Sequence, residues 1–239
     1  TRLGAYDFIE KPLSLAKLLL TVERALEADK LHKENIGLRR HVQAVSEPVG
    51  KSPPIQQLRE QIKRIAPHES WVLISGEPGS GKETFARAIH AASLRSRAPL
   101  VTLDCKAVAA NVVDSELFGH EAGAFPGAFS AKDGKLLQAN GGTLLLDDVT
   151  ALPLSTQEAL DRVLATGEVR PVGCNGSHSI DVRLIATSSR PLPDEFHPLL
   201  RERLESTVVV LPPLRERSSD IPALARHMLA RFSEQKLTR

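Results

Sequence analysis

The octapeptide at 76–83, Gly-Glu-Pro-Gly-Ser-Gly-Lys-Glu, holds the residues whose types and spacing best suit a chemical role. Its three glycines let the backbone turn so that N–H groups converge on phosphate oxygens, and Lys82 supplies a mobile ammonium. An apolar run at 71–74 precedes the octapeptide, and residues 84–90 follow it with helical spacing. The sequence therefore predicts a strand, a phosphate-binding turn and a helix; the alternative is a glycine-rich turn without a ligand.

Two carboxylates follow a second apolar run, at 143–146, which begins after a glycine pair. Asp147 would lie at the carboxyl end of a strand, where it can hold Mg²⁺ beside the phosphate loop, and Asp148 could orient a water molecule. An Asp-Asp pair can also be a solvated strand end or a helix cap, but the preceding glycines and apolar strand favour the metal site. Glu83 takes the place where a hydroxyl usually reaches Mg²⁺, and Thr84 follows it.

The composition limits the class of protein. With 41% hydrophobic and 25% charged residues over 239 positions, the chain has the composition of an ordinary globular protein, and its net charge of +2 is too small to argue for nucleic-acid binding. Its cysteines and histidines lack metal-ligand spacing, and no apolar run is long enough for a signal peptide or a membrane span. We therefore expect a cytoplasmic protein with no membrane partner and, because it starts at Thr1, a fragment of a longer one.

Strand-like and helical segments alternate between 71 and 211, a pattern that predicts an α/β fold with a mainly parallel sheet and helices on both faces. We predict strands at 71–74, 99–103, 143–146, 182–187 and 208–211, helices at 55–65, 84–90, 111–121, 154–165, 200–204 and from 219 onwards, and a hairpin at 169–182. Upstream, the sequence at residues 4–12 predicts a strand and a turn, and the sequence at residues 31–47 predicts a linker. Between them, the apolar spacing at residues 15–26 predicts an amphipathic helix. This helix either packs on its own domain or pairs with a second copy in a dimer.

A glycine-rich loop interrupts the helical pattern after residue 121. Two pairs of small residues surround an aromatic residue and a proline in this loop, which is either an ordinary surface turn or a protruding loop that offers Phe125 to a partner. Its residues are Gly123, Ala124, Phe125, Pro126, Gly127 and Ala128.

Together these segments resemble the bacterial enhancer-binding activators of the NtrC type, response regulators whose AAA+ ATPase domain remodels sigma-54 RNA polymerase. Residues 116–121, Glu-Leu-Phe-Gly-His-Glu, and the loop that follows are similar to the family's ELFGHE segment and its GAFTGA loop, which contacts the sigma factor. Residues 181–183 and 211–217 match two further family segments. Residues 6–12 resemble the end of a receiver domain, in which Lys11 would touch the phosphoryl group. Within the family, NtrX-like members are the nearest fit.

The resemblance implies an AAA+ P-loop fold, with the end of a receiver domain plus a helix at 1–30, a linker at 31–48, an ATP-binding core at 49–213 and the start of a small helical lid at 214–239. ATP and Mg²⁺ are the implied cofactors. Lys82 would bind the β- and γ-phosphates, and Asp147 would hold Mg²⁺. The residues assigned to the nucleotide are Val49, Gly50, Gly76, Glu77, Pro78, Gly79, Ser80, Gly81, Lys82, Glu83, Thr84 and Asp147.

Two residues would be catalytic by the same resemblance. Asp148 would orient the attacking water, and Arg203 would reach into the neighbouring subunit's site, where such an arginine can be worth about 10³ to 10⁵ in rate. ATP would therefore sit between subunits of a ring, usually a hexamer.

The sequence departs from the family pattern at five positions that serve hydrolysis or its readout. Pro126 replaces a threonine and lacks both a hydroxyl and a backbone N–H. Asp148 replaces a glutamate and is shorter by about 1.5 Å, and a misplacement of roughly 1 Å can cost about 10²-fold in rate. The remaining departures are Asp104 in place of an asparagine that restrains the glutamate, Ser189 in place of a sensor asparagine, and His197 in place of a first trans arginine.

We therefore favour an ATP-binding transcriptional regulator of a two-component system with degenerate hydrolysis and sigma-contact motifs. The alternative is a fully active ATP-hydrolysing activator that remodels sigma-54 RNA polymerase. A transporter ATPase or kinase is disfavoured by the segment at 211–217 and the receiver-like segment. The implied partners are sigma-54 RNA polymerase, a sensor histidine kinase, further copies of the chain from dimer to hexameric ring, and DNA through a C-terminal domain outside this sequence.

Overall fold

The computed structural model describes residues 48–237 together with residues 21 and 24–26, and for residues 231 and 234–237 it describes the backbone alone. The chain divides into two units, Thr1–Val45 and Ser46–Arg239, and all the elements below belong to the second. The predicted strand and turn at 4–12, the linker at 31–47 and most of the helix at 15–26 lie outside the described residues. Within the described part, no helix is long and apolar enough to cross a membrane.

The second unit alternates strands and helices along the chain, as predicted. Its elements are α1 (Pro53–Ile65), β1 (Val72–Ser75), α2 (Lys82–Ala91), β2 (Leu100–Asp104), α3 (Val113–Phe118), β3 (Gly119–His120), β4 (Lys132–Asp133), α4 (Lys135–Gln138), β5 (Thr143–Asp147), a 3₁₀ turn (Val149–Ala151), α5 (Leu154–Thr166), β6 (Glu168–Val169), β7 (His178–Ser179), β8 (Arg183–Ser188), α6 (Pro198–Glu205), β9 (Val208–Val210), a 3₁₀ segment (Leu214–Asp220) and α7 (Ile221–Leu237).

A five-stranded parallel sheet with the strand order β2-β5-β8-β1-β9 forms the centre of the unit. Strand β8 is buried along its whole length, and β5 is buried up to its last residue, which explains the apolar runs at 184–186 and 144–146. The register pairs Asp104 with Asp147 and Ser75 with Ser188, so β2, β5, β8 and β1 end at the same edge. This carboxyl edge is where parallel α/β sheets bind their ligands.

Helices cover both faces of the sheet, as the sequence predicted. Successive residues of β5 point to opposite faces: Leu145 packs in a cluster with α1 and α2, whereas Leu144 and Leu146 pack in a second cluster with α3, α5 and α6. The first cluster fixes α2 against β1, and α2 directly follows the phosphate turn. Packing of these helices therefore holds the turn at the carboxyl edge.

The helix predicted at 111–121 is shorter than expected. It ends at Phe118 because Gly119 has a φ of 85°, and Gly119 and His120 instead pair with β4. A Cβ at Gly119 would lie 2.6 Å from the carbonyl oxygen of Lys132, so glycine is required at this crossing. The prediction was wrong here because residues 119–120 pair with β4, and the helical periodicity of 111–121 gives no information about that downstream strand.

The hairpin predicted at 169–182 is confirmed, with β6 and β7 as short antiparallel strands. The predicted strands at 71–74, 99–103, 143–146, 182–187 and 208–211 are also confirmed, with ends that shift by about one residue.

Arg183 connects the start of β8 to the end of α1. Its side chain is 1% exposed and donates to the carbonyl oxygens of Ala66 at 2.7 Å and Ile65 at 3.1 Å. A cation at a helix C-terminus complements the helix dipole and satisfies carbonyls that the helix leaves unpaired. Burial lowers the pKa of Arg183, but the guanidinium stays protonated because its intrinsic pKa is so high.

Candidate functional site

The predicted phosphate turn lies between β1 and α2 at the carboxyl edge of the sheet. The N–H of Ser80 donates to the carbonyl oxygen of Glu77 at 3.1 Å, which closes the turn. Gly79 and Gly81 have φ values of 77° and 96°, in the left-handed region that favours glycine. Helix α2 begins directly after Gly81, so its unpaired N–H groups and the positive end of its dipole lie at the turn.

Lys82 spans this turn and reaches the next strand of the sheet. Its side chain is buried, and its Nζ donates to the carbonyl oxygens of Gly76 at 3.0 Å and Glu77 at 3.2 Å, and to the Ser189 Oγ at 3.0 Å. Ser189 directly follows β8. All three acceptors are neutral, so a phosphate oxygen would be a stronger acceptor for this ammonium.

Asp147 and Asp148 lie at the end of β5, as predicted, next to the end of β8. The hydroxyl of Thr187 joins them, because it donates to the Asp147 Oδ1 and accepts from the Asp148 N–H at 2.9 Å. Among the described residues other than glycine, only Asp148 has a positive φ, 54°. Aspartate tolerates this left-handed conformation better than most residues, including glutamate.

Both carboxylate oxygens of Asp148 are engaged. Its Oδ2 lies 2.6 Å from the Nζ of Lys106, and its Oδ1 accepts the Ser189 N–H at 2.9 Å. Burial alone would raise the pKa of Asp148, but the contacts with Lys106 and Ser189 outweigh burial and hold that pKa below its usual value. The carboxylate is therefore ionised and held in place.

Sequence reasoning missed Lys106. The residue follows β2, and it meets Asp148 because β2 and β5 are neighbours with Asp104 paired to Asp147. Asp104, which by the resemblance replaces a restraining asparagine, accepts the N–H groups of Lys106 at 2.9 Å and Ala107 at 3.1 Å. Lys106 thus holds Asp148 together with Ser189. Nothing in the sequence pattern of 104–107 indicates this contact.

The pair Val49–Gly50, assigned to the nucleotide, lies against the segment before α7. Asp220 accepts the N–H groups of Lys51 at 2.7 Å and Ser52 at 2.9 Å, and the Ser52 hydroxyl at 2.6 Å. A Cβ at Gly50 would lie 2.6 Å from the Asp220 Cγ, so the backbone approaches this carboxylate closely. Burial would raise the pKa of Asp220, but these hydrogen bonds hold it below its usual value.

The segment Leu214–Asp220 also contacts the phosphate turn itself. Arg217 donates to the carbonyl oxygen of Ser80 at 2.6 Å, and Arg215 makes a bidentate ion pair with Glu77 at 2.7 and 2.8 Å. These two arginines therefore connect the segment to the phosphate turn. Its exposed ion pair contributes little energy, whereas the buried Arg217 contact ties the segment to the turn.

Other residues assigned to the nucleotide differ in their surroundings. Glu83 is exposed and makes an ion pair with Arg87 at 2.6 Å, one turn along α2. Thr84 is half-buried, and Pro78 is exposed. The hydroxyl of Ser80 is buried and has no hydrogen-bond partner within the described residues.

Arg203 lies at the other end of the sheet. Its Nε is 3.1 Å from the Asp161 Oδ1, and its guanidinium lies 5.4 Å from the ring centroid of Trp71. Trp71 precedes β1, whereas the phosphate turn follows β1, so one copy of the chain does not bring Arg203 to its own Lys82. Arg203 lines an open cleft of about 710 Å³ together with Glu69, Ser70, Trp71, Leu164, Leu199, Glu202 and Ser206.

His197, the predicted replacement of a first trans arginine, caps α6. Its Nδ1 accepts the N–H of Leu200 at 3.4 Å. The His197 ring therefore caps the N-terminus of α6.

The loop at 123–128 lies between β3 and β4, and in the sequence it is well separated from the phosphate turn. The N–H of Ala128 donates to the carbonyl oxygen of Phe125 at 3.0 Å, with Pro126 and Gly127 between them and a φ of 101° at Gly127. A Pro-Gly pair with positive φ at the glycine is the signature of a type II turn. Phe125 packs on the ring of His120, with centroids 4.9 Å apart. Among the described residues, the most exposed aromatic side chain is that of Phe129, at 95%, just beyond the predicted loop.

Comparison with known proteins identifies the family. A family model described as the sigma-54 interaction domain matches residues 48–209. The C4-dicarboxylate transport transcriptional regulatory protein DctD of Rhizobium meliloti is 42% identical over 240 residues, which cover 97% of this chain and 52% of DctD. The transcriptional regulatory protein ZraR of Escherichia coli K12 is 44% identical over 239 residues, which cover 97% of this chain and 53% of ZraR. The chain thus spans about half the length of the curated relatives it matches.

Solved structures of NtrX from Brucella abortus share the fold. The complex of that protein with ATP has a TM-score of 0.82 at 39% identity and covers 98% of this chain and 51% of NtrX. Its complex with ADP has a TM-score of 0.82 at 37% identity and covers 100% of this chain and 52% of NtrX. The predicted α/β fold of the AAA+ P-loop type is confirmed. The chain belongs to the sigma-54 interaction domain family, as a member of the NtrC-type sigma-54-dependent response regulators.

Proposed function

We propose that this chain is the ATP-binding module of a two-component transcriptional regulator and that it hydrolyses ATP slowly. The observation that carries the proposal is the contrast between two parts of one site. The phosphate turn with Lys82 has the geometry of a phosphate-binding loop. Asp148, the acid placed to orient water, is instead tied by both oxygens to Lys106 and Ser189.

The phosphate turn fits a nucleoside triphosphate on three grounds. Within the described residues, the Lys82 ammonium bonds only neutral oxygens and the buried Ser80 hydroxyl has no partner. The N-terminus of α2 adds N–H groups that a helix leaves unpaired. The complexes of Brucella abortus NtrX with ATP and ADP support the same ligand for this chain.

Asp147 fits a role in holding Mg²⁺. Its Oδ1 accepts the Thr187 hydroxyl, and within the described residues its Oδ2 accepts no hydrogen bond. The described residues contain no group of three or more histidine, cysteine or acidic side chains that could hold an ion. This agrees with Mg²⁺ bound through one carboxylate plus substrate phosphates, where the ion would neutralise phosphate charge.

Slow turnover follows from the position of Asp148. The side chain is one methylene shorter than the family's glutamate, and Lys106 and Ser189 hold it at the ends of β2 and β8. A carboxylate with a lowered pKa is also a weaker base towards water.

A complete site would need a second copy of the chain. Arg203 and the phosphate turn lie at opposite ends of β1, so Arg203 can serve only a neighbour's nucleotide. We therefore propose self-association, up to the hexameric ring that the family implies.

The other proposed partners are a sensor histidine kinase, sigma-54 RNA polymerase and DNA, the last through a domain outside this sequence. Pro126 in the type II turn weakens the case for the sigma factor, because the family's threonine hydroxyl is missing. We also propose the domain boundaries given by the resemblance: 1–30, 31–48, 49–213 and 214–239.

The alternative is a fully active ATPase that remodels sigma-54 RNA polymerase. It is favoured by the presence of Lys82, Asp147 and Arg203 together, since these residues suffice for phosphate, metal and trans contacts. The two candidates differ in turnover, not in binding.

Calorimetric titration with ATP and ADP tests the shared part of both candidates. We expect wild-type binding with a dissociation constant in the micromolar range, about −8 kcal/mol. Lys82→Ala should weaken ATP binding at least about 100-fold, since it removes a buried charge-assisted contact. The matched control is Lys63→Ala, because Lys63 is an exposed lysine of α1 whose ion pair is with Glu60, at 2.8 Å. Wild-type protein that binds neither nucleotide would show the proposal to be wrong.

A further inference from the structure

We propose that Lys106 is a positioning residue that restrains the carboxylate of Asp148 and thereby slows ATP hydrolysis. The inference rests on the proposed function, because it concerns the water-orienting role assigned to Asp148. It adds a residue that neither the motifs nor the family resemblance singled out.

The turn after β2 and the pairing of β2 with β5 determine where Lys106 lies. Asp104 ends β2, and its Oδ1 accepts the N–H groups of Lys106 at 2.9 Å and Ala107 at 3.1 Å, which fixes a turn directly after the strand. Because Asp104 is paired with Asp147 in the adjacent strand, this turn lies beside Asp148. The Nζ of Lys106 then reaches the Asp148 Oδ2 at 2.6 Å.

Asp148 is held from the other side as well. The N–H of Ser189 donates to its Oδ1 at 2.9 Å, and the Thr187 hydroxyl accepts its backbone N–H at 2.9 Å. Lys106 and the end of β8 thus fix the two oxygens from opposite neighbours of β5. Of the two contacts to the carboxylate oxygens, the one from Ser189 comes from the backbone and the one from Lys106 comes from a half-exposed side chain, so a substitution of Lys106 can release it.

This arrangement weakens Asp148 as a partner for water. An acid that orients a nucleophilic water must accept a hydrogen bond from it at a suitable angle. Each oxygen retains a further lone pair, but the ammonium fixes the plane of the carboxylate and competes with water for Oδ2. The side chain of Asp148 is 14% exposed and that of Lys106 is 55% exposed, so solvent screens the pair only in part.

The test is steady-state ATP hydrolysis by the full chain and its Lys106→Met variant. Methionine keeps much of the lysine stem and removes the charge, and the half-exposed position should tolerate it. We expect kcat to rise about fivefold with KM unchanged within about twofold, since the restraint acts on the water and not on nucleotide binding. Lys106→Arg should return kcat to near the wild-type value because it restores the charge.

Two controls distinguish the positioning of Asp148 by Lys106 from a general effect of removing a charged side chain. Lys132→Met removes a comparable ion pair, at 2.6 Å from Glu116 and with the lysine 46% exposed, on the β3–β4 hairpin, and should leave kcat unchanged. Adding Asp148→Asn to Lys106→Met should abolish the gain, because the gain depends on the freed carboxylate.

A kcat for Lys106→Met at or below the wild-type value, including no detectable turnover in either protein, would overturn the inference. Titration of the same samples with ATP keeps this result distinct from failure of the proposed function. If ATP binds to both proteins and turnover does not rise, Lys106 has no restraining role and the binding proposal stands. If ATP does not bind to wild-type protein, the proposed function itself fails.

Discussion

Replacing Asp220 by alanine should destabilise the domain strongly. This carboxylate is 1% exposed and joins the start of α7 to residues 51–52, more than a hundred and sixty positions upstream, through three hydrogen bonds of 2.6, 2.7 and 2.9 Å. Two of the donors are backbone N–H groups, which would lose their acceptor in the variant. The contact also sets the backbone at Gly50, one of the residues assigned to the nucleotide.

The expected loss is about 3 to 4 kcal/mol of unfolding free energy. Hydrogen bonds to a charged group contribute about 1.5 to 3 kcal/mol each. The three share one carboxylate and do not add independently, so their sum is an upper bound. Asp220→Asn should cost less, about 1 to 2 kcal/mol, because the amide oxygen can still accept both N–H groups while the charge is lost.

Urea unfolding followed by circular dichroism measures this effect. With a slope of about 2 kcal/mol per molar urea, the midpoint should fall by about 1.5 to 2 M in Asp220→Ala. Asp194→Ala, at an exposed aspartate, is the control and should stay within about 0.5 kcal/mol of wild type. A loss below about 1 kcal/mol in Asp220→Ala would refute the reasoning.

The same contact gives a pH dependence of known sign. Because the folded-state pKa of Asp220 lies below its usual value, the ionised group stabilises the fold at pH values above the unfolded pKa, about 3.9. This stabilisation is lost as the pH falls through the folded-state pKa. The stability difference between wild type and Asp220→Asn should therefore be constant from about pH 5 to 8 and shrink below about pH 4.

Three further predictions concern other parts of the domain. Arg95→Ala should cost about 2 kcal/mol in urea unfolding, since the 14% exposed guanidinium pairs with Glu69 and donates to two backbone carbonyls; a neutral result would contradict this. Burial raises the pKa of the Cys105 thiol to about 12, so a disulfide reagent at pH 8 should label Cys174 rapidly and Cys105 only after unfolding; equal rates would contradict its burial. Arg203→Gln should shift the fluorescence of the single tryptophan, which lies 5.4 Å below the guanidinium; an unchanged spectrum would argue against that contact.

Much of the fold could be predicted because local signals and tertiary structure agree. The apolar run before Asp147 is continuous because β5 is buried on both faces, and such a run is detectable in sequence. The helix after Gly81 was predicted because its apolar spacing matches the face that it buries. The end of the helix before Gly119 was missed because pairing with β4 decides it.

The contacts around the site were less predictable. Lys106 meets Asp148 only because β2 and β5 are neighbours, and strand order cannot be derived from apolar periodicity. Asp220 was predicted only as part of a helix start, yet its side chain bonds residues near the other end of the domain. The phosphate turn was predictable because strand, glycines, lysine and helix are contiguous in the chain.

The central claim, nucleotide binding with slow turnover, is tested most directly by measuring phosphate release from ATP at saturating nucleotide over a range of protein concentrations. A range is needed because Arg203 would act only between copies of the chain. Typical enzymes turn over at about 1 s⁻¹ or faster, and a misplaced catalytic group costs about 100-fold. We therefore predict about 0.01 s⁻¹ or less at every concentration. A rate of about 1 s⁻¹ that is lost in Lys82→Ala would contradict the claim and favour the fully active ATPase.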